Sequence, residues 1–140
     1  MSRYIVGIDP GVNTGFALWD ADKRALEEVC SMSIVDAMLR TQNMRNAGTL
    51  HMIVFEDARL RTGYFGERAK HNQQGAGSIK RDCGIWGEWV AMLGCAVRNV
   101  SPRAKGPKMS AAFFAKATGW TARTNEHGRD AAALVLGMKA

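Results

Sequence analysis

The stretch Gly7-Ile8-Asp9-Pro10-Gly11-Val12-Asn13-Thr14-Gly15-Phe16-Ala17-Leu18 constrains the fold of this chain more than any other. An apolar run, Tyr4-Ile5-Val6, leads into it, and Pro10-Gly11 turns the backbone before a second apolar run begins. Apolar runs on both sides of a Pro-Gly turn predict a hairpin, with strands from Arg3 to Asp9 and from Thr14 to Asp20. The turn accounts for the proline and the glycine. It does not require a carboxylate at the last position of a core strand, so Asp9 calls for a chemical reason.

The rest of the chain reads as a continuation of that hairpin. A third strand over Ala25 to Ser31 completes an antiparallel meander. Ser33-Ile34-Val35-Asp36 forms a capping box that opens a helix to about Asn46. His51 to Glu56, "HMIVFE", is a fourth strand; reached through a helix, it is expected to run parallel to the first. Residues 57–77 read as a long loop, a length that in a compact domain is usually functional or mobile.

A helix from about Ser78 to Ala96 follows. Its stripe of Ile79, Cys83, Trp86, Val90, Leu93 and Val97 has spacings of three and four. A second apolar set, Ile85, Trp89, Met92 and Ala96, occupies another face, as expected of a central helix or one at a subunit interface. A short strand over Arg98 to Val100, the basic loop "SPRAKGPK", a short helix from Ser110 to Thr118 stopped by Gly119, and a final helix from about Glu126 to Lys139 complete the chain. The expected class is α/β: a mixed five-stranded sheet flanked by helices, in one domain spanning residues 1–140.

Two strands end in acids. Asp9 closes the first and Glu56 the fourth. If those strands are neighbours in register, two carboxylates meet at one sheet edge, which is costly unless a cation lies between them. Hard oxygen ligands suit Mg²⁺ or Mn²⁺. Taken singly, Asp9 is equally a turn cap and Glu56 an exposed acid; their joint placement favours the metal. The closing segment "NEHGRDAAALVLG" adds a third element. His127 and Asp130 share a helix face at a spacing of three, and Glu126 and Asp130 at four, so spacing does not choose between Glu126 and His127. The apolar run after Asp130 packs this helix on the sheet, which leaves Asp130 near the packed side. The bland account of Asp130 is a first-turn acid favoured by the helix dipole.

The formal charge of +6 suggests a polyanionic partner, nucleic acid first, against the alternative of a basic solvated surface. The candidate phosphate contacts are Arg59, Arg61, Lys70, Lys80, Arg81, Arg103, Lys105 and Lys108. Tyr64 and Phe65, flanked by Gly63 and Gly66, form an aromatic pair fit to wedge or stack at an opened base step, unless one ring packs under its own loop. Cys30, Cys83 and Cys95 lack CxxC spacing and read as buried thiols in a reducing compartment. No apolar run reaches membrane-spanning length, and "MSRYIVGID" runs into a strand with no cleavable signal pattern, so a cytoplasmic location is expected.

"GIDPGVNTGFAL", "VFED" and "HGRDAAALVLG", in this order and spacing, resemble the RuvC-type Holliday-junction resolvases of the ribonuclease-H-like superfamily, over most of the chain. The short length is more like phage-borne members, for which the compartment is the host cytoplasm. The resemblance implies a ribonuclease-H-like sheet and a metal-dependent, structure-selective endonuclease that resolves four-way DNA junctions. It assigns Asp9, Glu56, His127 and Asp130 as the catalytic and metal-binding set, with His127 either a ligand or a proton carrier. It implies two Mg²⁺ or Mn²⁺ ions about 4 Å apart, activating a water that attacks the phosphodiester. Paired symmetric nicks would leave 5′-phosphate and 3′-hydroxyl ends. It also implies a homodimer formed through the helix from Ser78 to Ala96, an aromatic of the long loop near the junction centre, and a basic segment matching Arg103, Lys105 and Lys108, of which Lys108, at the end of its loop, is the expected phosphate contact near the metals.

Three other readings compete. The "DPGVNTG" turn also resembles the phosphate loop of actin-like ATPases, which need two such domains in a far longer chain. A related nuclease could act on other branched DNA or on RNA–DNA hybrids, since fold does not decide substrate. A junction-binding protein without activity is disfavoured, because all four candidate ligands are present.

Overall fold

The computed structural model describes residues 3–60, 67–104 and 106–140, and for 67–76 the backbone alone. Strands β1 (Tyr4–Asp9), β2 (Asn13–Asp20) and β3 (Ala25–Ser33) form the antiparallel meander. The hydroxyl of Thr14 donates to the Gly11 carbonyl at 2.8 Å and fastens the Pro-Gly turn. Helix α1 (Ile34–Ala47) leads to β4 (Leu50–Glu56), which pairs with β1 in parallel. A 3₁₀ turn (Ala58–Leu60), helix α2 (Glu67–Leu93), strand β5 (Ala96–Val100) and helices α3 (Ala111–Thr118) and α4 (Glu126–Ala133) follow. The strand order is β3-β2-β1-β4-β5, with β4 and β5 parallel to β1. This is the mixed five-stranded sheet, antiparallel then parallel, that the sequence led us to expect.

Local chemistry explains where the helices begin and end. Ser33 caps α1 by accepting from the Asp36 N–H, and Gly48, left-handed at φ 76°, closes it. Ser110 and Gly119 do the same for α3, and the Asn125 side chain caps α4 by accepting from the Gly128 N–H.

Alternate strand positions feed two apolar layers. Val6, Ile8, Phe16, Ile53 and Phe55 pack with α1 and with Trp86, Val90 and Leu93 of α2. Ile5, Ala17, Trp19 and Val54 pack on the other face with Ala131 and Ala132 of α4, Val135 beyond it and Phe114 of α3. Among the described residues no helix is long and apolar enough to cross a membrane.

Three boundaries differ from expectation. Helix α2 begins at Glu67, inside the segment read as loop, because residues 67–76 carry good helix formers but no apolar stripe to announce them. It ends at Leu93, where Gly94 turns left-handed at φ 66°, so Ala96 and Val97 belong to β5 and not to the helix stripes. Helix α4 stops at Ala133 and tightens into turns, Leu134 N–H to Ala131 and Val135 N–H to Ala132, which direct Leu134 and Val135 into the core. Of the three thiols only Cys83 is buried; Cys30 and Cys95 are half-buried.

Candidate active site

Strand parity places the first two acids. Ile5 belongs to the layer beneath α4, so Asp9, four positions on, leaves β1 on that same face. Val54 belongs to that layer as well, so Glu56 leaves β4 on the same side. Ile8 pairs with Phe55, and the next residues along the two strands are Asp9 and Glu56. Two carboxylates therefore stand at the carboxyl ends of adjacent parallel strands, facing the helix that carries Asp130.

Glycine sets the distance between that helix and the sheet. A Cβ at Gly15, the strand partner of Asp9, would lie 2.0 Å from the His127 carbonyl oxygen and 2.9 Å from the Asp9 Cβ. A Cβ at Gly7 would lie 2.2 Å from the Ala131 carbonyl oxygen. The backbone of α4 thus rests directly on β1 and β2, a contact open only to glycine. The Asn125 side chain, besides capping α4, donates to the Ser31 hydroxyl at 2.8 Å and ties the helix start to β3.

With α4 so placed, His127 Nδ1 stands 3.4 Å from Asp9 Oδ2. Asp130 is buried, and Lys108 Nζ approaches its Oδ2 at 3.6 Å while bonding to Glu126. The hydrogen bond it donates to Glu126 holds the Lys108 ammonium above its usual pKa, and the charges of Asp130, Glu126 and Asp9 add to this against partial desolvation. Glu126 in turn is held below the usual carboxylate range, chiefly by its bond from Lys108. Arg129 secures the approach: its Nε donates to the Met109 carbonyl at 3.0 Å, and Nη1 donates to the Thr124 carbonyl and hydroxyl.

The other candidates are dispersed. Lys80 and Arg81 are exposed on α2, where Arg81 donates to the Ser78 hydroxyl at 3.2 Å. Arg103 is exposed in the turn after β5. Arg59 is engaged with Asp57 through Nε at 2.9 Å and Nη2 at 2.8 Å, with its guanidinium against Gly87 of α2. Lys70 lies on α2 with its side chain outside the described residues, as are Arg61, Tyr64, Phe65 and Lys105. The sequence reading passed over Asp57, Glu126's bond to Lys108, Arg129 and the helix-seating role of Gly7 and Gly15. Glycines inside strands were the available signal for the last of these.

Asp9, Glu56 and Asp130 offer hard oxygen donors and His127 a ring nitrogen, a set whose chemistry suits Mg²⁺ or Mn²⁺. Among the described residues no three His, Cys, Asp or Glu side chains form a ready metal-binding group. Among the described residues the Lys108 ammonium is drawn to Glu126 and Asp130. A cation beside Asp130 shows that this carboxylate can face positive charge; the fit of the whole set rests on the chemistry of its oxygen and nitrogen donors.

No family model matches the sequence, and no curated protein matches it. Solved structures do. Thermus thermophilus RuvC in complex with a Holliday junction substrate superposes with a TM-score of 0.62 at 15% identity, covering 96% of this chain and 91% of that one. A second Thermus thermophilus RuvC structure gives a TM-score of 0.59 at 14% identity, covering 96% and 92%. The fold is that of RuvC. The likeness to RuvC is near full length on both chains, so it embraces the sheet and its flanking helices together. At this identity the RuvC likeness lies in the backbone arrangement alone.

Proposed function

We propose that the protein is a divalent-metal-dependent endonuclease that resolves four-way DNA junctions by paired symmetric nicks, leaving 5′-phosphate and 3′-hydroxyl ends. The observation that carries the reading is the meeting of Asp9, His127, Asp130 and Lys108 at the carboxyl ends of the central strands, in a fold shared with a protein solved on a Holliday junction. Asp9, Glu56 and Asp130, with His127, would hold Mg²⁺ or Mn²⁺, two ions in each site. Such ions supply Lewis-acid stabilisation of the phosphate and ease the deprotonation of water.

The chain's own side chains do the rest. His127, whose Nδ1 is 3.4 Å from Asp9 Oδ2, would take or return a proton during cleavage. Lys108 neutralises phosphate charge, exchanging its contacts with Glu126 and Asp130 for the DNA. Lys80, Arg81 and Arg103, with Arg61, Lys70 and Lys105, add sequence-independent phosphate contacts, and Tyr64 and Phe65 stack near the junction centre. Arg59 is taken up by its bond to Asp57 and is not counted among these contacts.

Two such sites would act together in a homodimer formed through α2. Helix α2 buries Cys83, Trp86, Val90 and Leu93 yet leaves Ile79 and Met92 exposed, Met92 at 78%. A cytoplasmic site of action, in a host cell if the chain is phage-borne, follows from the DNA substrate. The test uses purified protein, a synthetic four-way junction and a matched duplex, with and without Mg²⁺ and Mn²⁺. Metal-dependent cleavage of the junction alone is expected. Equal cleavage of other branched DNA or of RNA–DNA hybrid would reassign the substrate, and no cleavage of any of them would end the nuclease reading.

A further inference from the structure

On the sheet face away from α4, the residue after Glu56 is held from several directions. Asp57 is 1% exposed. Its Oδ1 accepts from the Arg59 backbone N–H at 3.0 Å and from Arg59 Nε at 2.9 Å. Its Oδ2 accepts from Arg59 Nη2 at 2.8 Å and from Asn99 Nδ2, on β5, at 2.9 Å. The Asp57 N–H donates to the Val100 carbonyl at 2.8 Å. The Arg59 guanidinium, reaching from the 3₁₀ turn, packs against α2, where a Cβ at Gly87 would stand 2.9 Å from Nη2. The Cys83 thiol of α2 adds two contacts, to the Glu56 carbonyl at 3.5 Å and from the Ala58 N–H at 3.4 Å.

A strand end does not need a buried carboxylate paired with a half-exposed arginine. The backbone bond to Val100 already closes the β4–β5 ladder, and burying a carboxylate is costly unless every lone pair is used. Here every one of the four acceptor contacts is made, and they converge on the backbone next to Glu56. Such pairs contribute little net stability but define one geometry well. Because neighbouring residues on a strand point to opposite faces, locking Asp57 toward α2 directs Glu56 toward α4 and Asp9.

We propose that Asp57, with Arg59 and Asn99, is a positioning residue for Glu56: the clasp beneath the sheet fixes the carboxylate above it. The inference rests on the metal-dependent nuclease reading and deepens it by assigning the support of one metal-binding acid. Arg59, read from sequence as a phosphate contact, then has its main work on the far side of the sheet from the site.

The experiment compares wild type with Asp57→Asn, Arg59→Ala, Arg59→Lys, Asn99→Ala and Glu56→Gln, all in the full chain. Mn²⁺ affinity is read by paramagnetic resonance on protein without DNA, and again as the Mn²⁺ concentration for half-maximal junction cleavage. Thermal unfolding reports the fold, and junction binding is measured in Ca²⁺. Asp57→Asn and Arg59→Ala are expected to weaken Mn²⁺ binding by about 10- to 100-fold, with junction binding unchanged and cleavage recovering at saturating Mn²⁺. Arg59→Lys restores part of the affinity. Asn99→Ala removes one bond of the four from an exposed residue, so it keeps the fold and shows a smaller shift in the same direction. A folded clasp variant with the wild-type Mn²⁺ requirement overturns the proposal. Wild-type protein that binds no Mn²⁺, or Glu56→Gln that binds it normally, overturns the nuclease reading and the inference built on it.

Discussion

His127 Nδ1 lies 3.4 Å from Asp9 Oδ2 across a sequence separation of 118 residues. The contact exists because α4 rests its backbone on Gly7 and Gly15, which brings the first turn of the last helix over the end of the first strand. If that arrangement is catalytic, Asp9→Asn keeps the shape and removes the charge. Junction cleavage is expected to fall by at least about 100-fold while junction binding in Ca²⁺ is retained. Cleavage close to wild type would remove Asp9 from the site.

Gly15→Ala addresses the seating of the helix. The new Cβ would press on the His127 carbonyl oxygen from 2.0 Å, so α4 must move off the sheet. We expect a loss of about 1–3 kcal/mol in a denaturant titration, together with reduced cleavage. Wild-type stability would mean that α4 does not sit on β2 in solution.

Lys108→Ala separates charge from fold. The side chain is 65% exposed, so the melting temperature should hardly change. Junction affinity should fall, and the slope of log affinity against log salt should drop by about one unit. An unchanged slope would return Lys108 to its role as partner of Glu126 alone.

Met92→Glu is the substitution that probes the homodimer. Trp89, the more obvious aromatic on α2, donates its indole N–H to the Thr41 hydroxyl at 3.0 Å, so replacing it would damage the core. Met92, exposed at 78%, has no such duty. The variant should sediment as a monomer with the melting temperature of the unassociated fold. A stable active dimer would place the interface elsewhere.

Burial pushes the Cys83 thiol up to about 11. A raised thiol pKa lowers the reactive thiolate fraction, to roughly one in a thousand at pH 8; burial raises Cys30 and Cys95 as well, but both are only half-buried. In native protein at pH 8, iodoacetamide should therefore label Cys83 more slowly than Cys30 or Cys95, with the rates converging on unfolding. Rapid labelling of Cys83 would show that the contact between α2 and the end of β4 opens.

Much of the architecture was legible because its signals are local. Ser33 and Ser110 announced helix starts, Gly119 announced a stop, and the Pro-Gly turn between apolar runs announced the β1–β2 hairpin. Acids at the ends of two apolar strands were equally visible. The start of α2 was not, since residues 67–76 present no apolar periodicity, and a polar helix looks like a polar loop until its backbone is seen.

The partners of the charged residues were a different matter. Spacing alone left Glu126 and His127 equivalent; the seating of α4 on Gly15 gives His127 to Asp9 and Glu126 to Lys108. Arg59 read as a free cation, and β5 and α2 turned it into one arm of a clasp on Asp57. The amino-acid sequence determined which residues end strands and cap helices, because those choices depend on neighbours a few positions away. Only the tertiary structure decided which charges meet, because that depends on the rotation and height of a helix held by glycines more than a hundred residues distant in the chain.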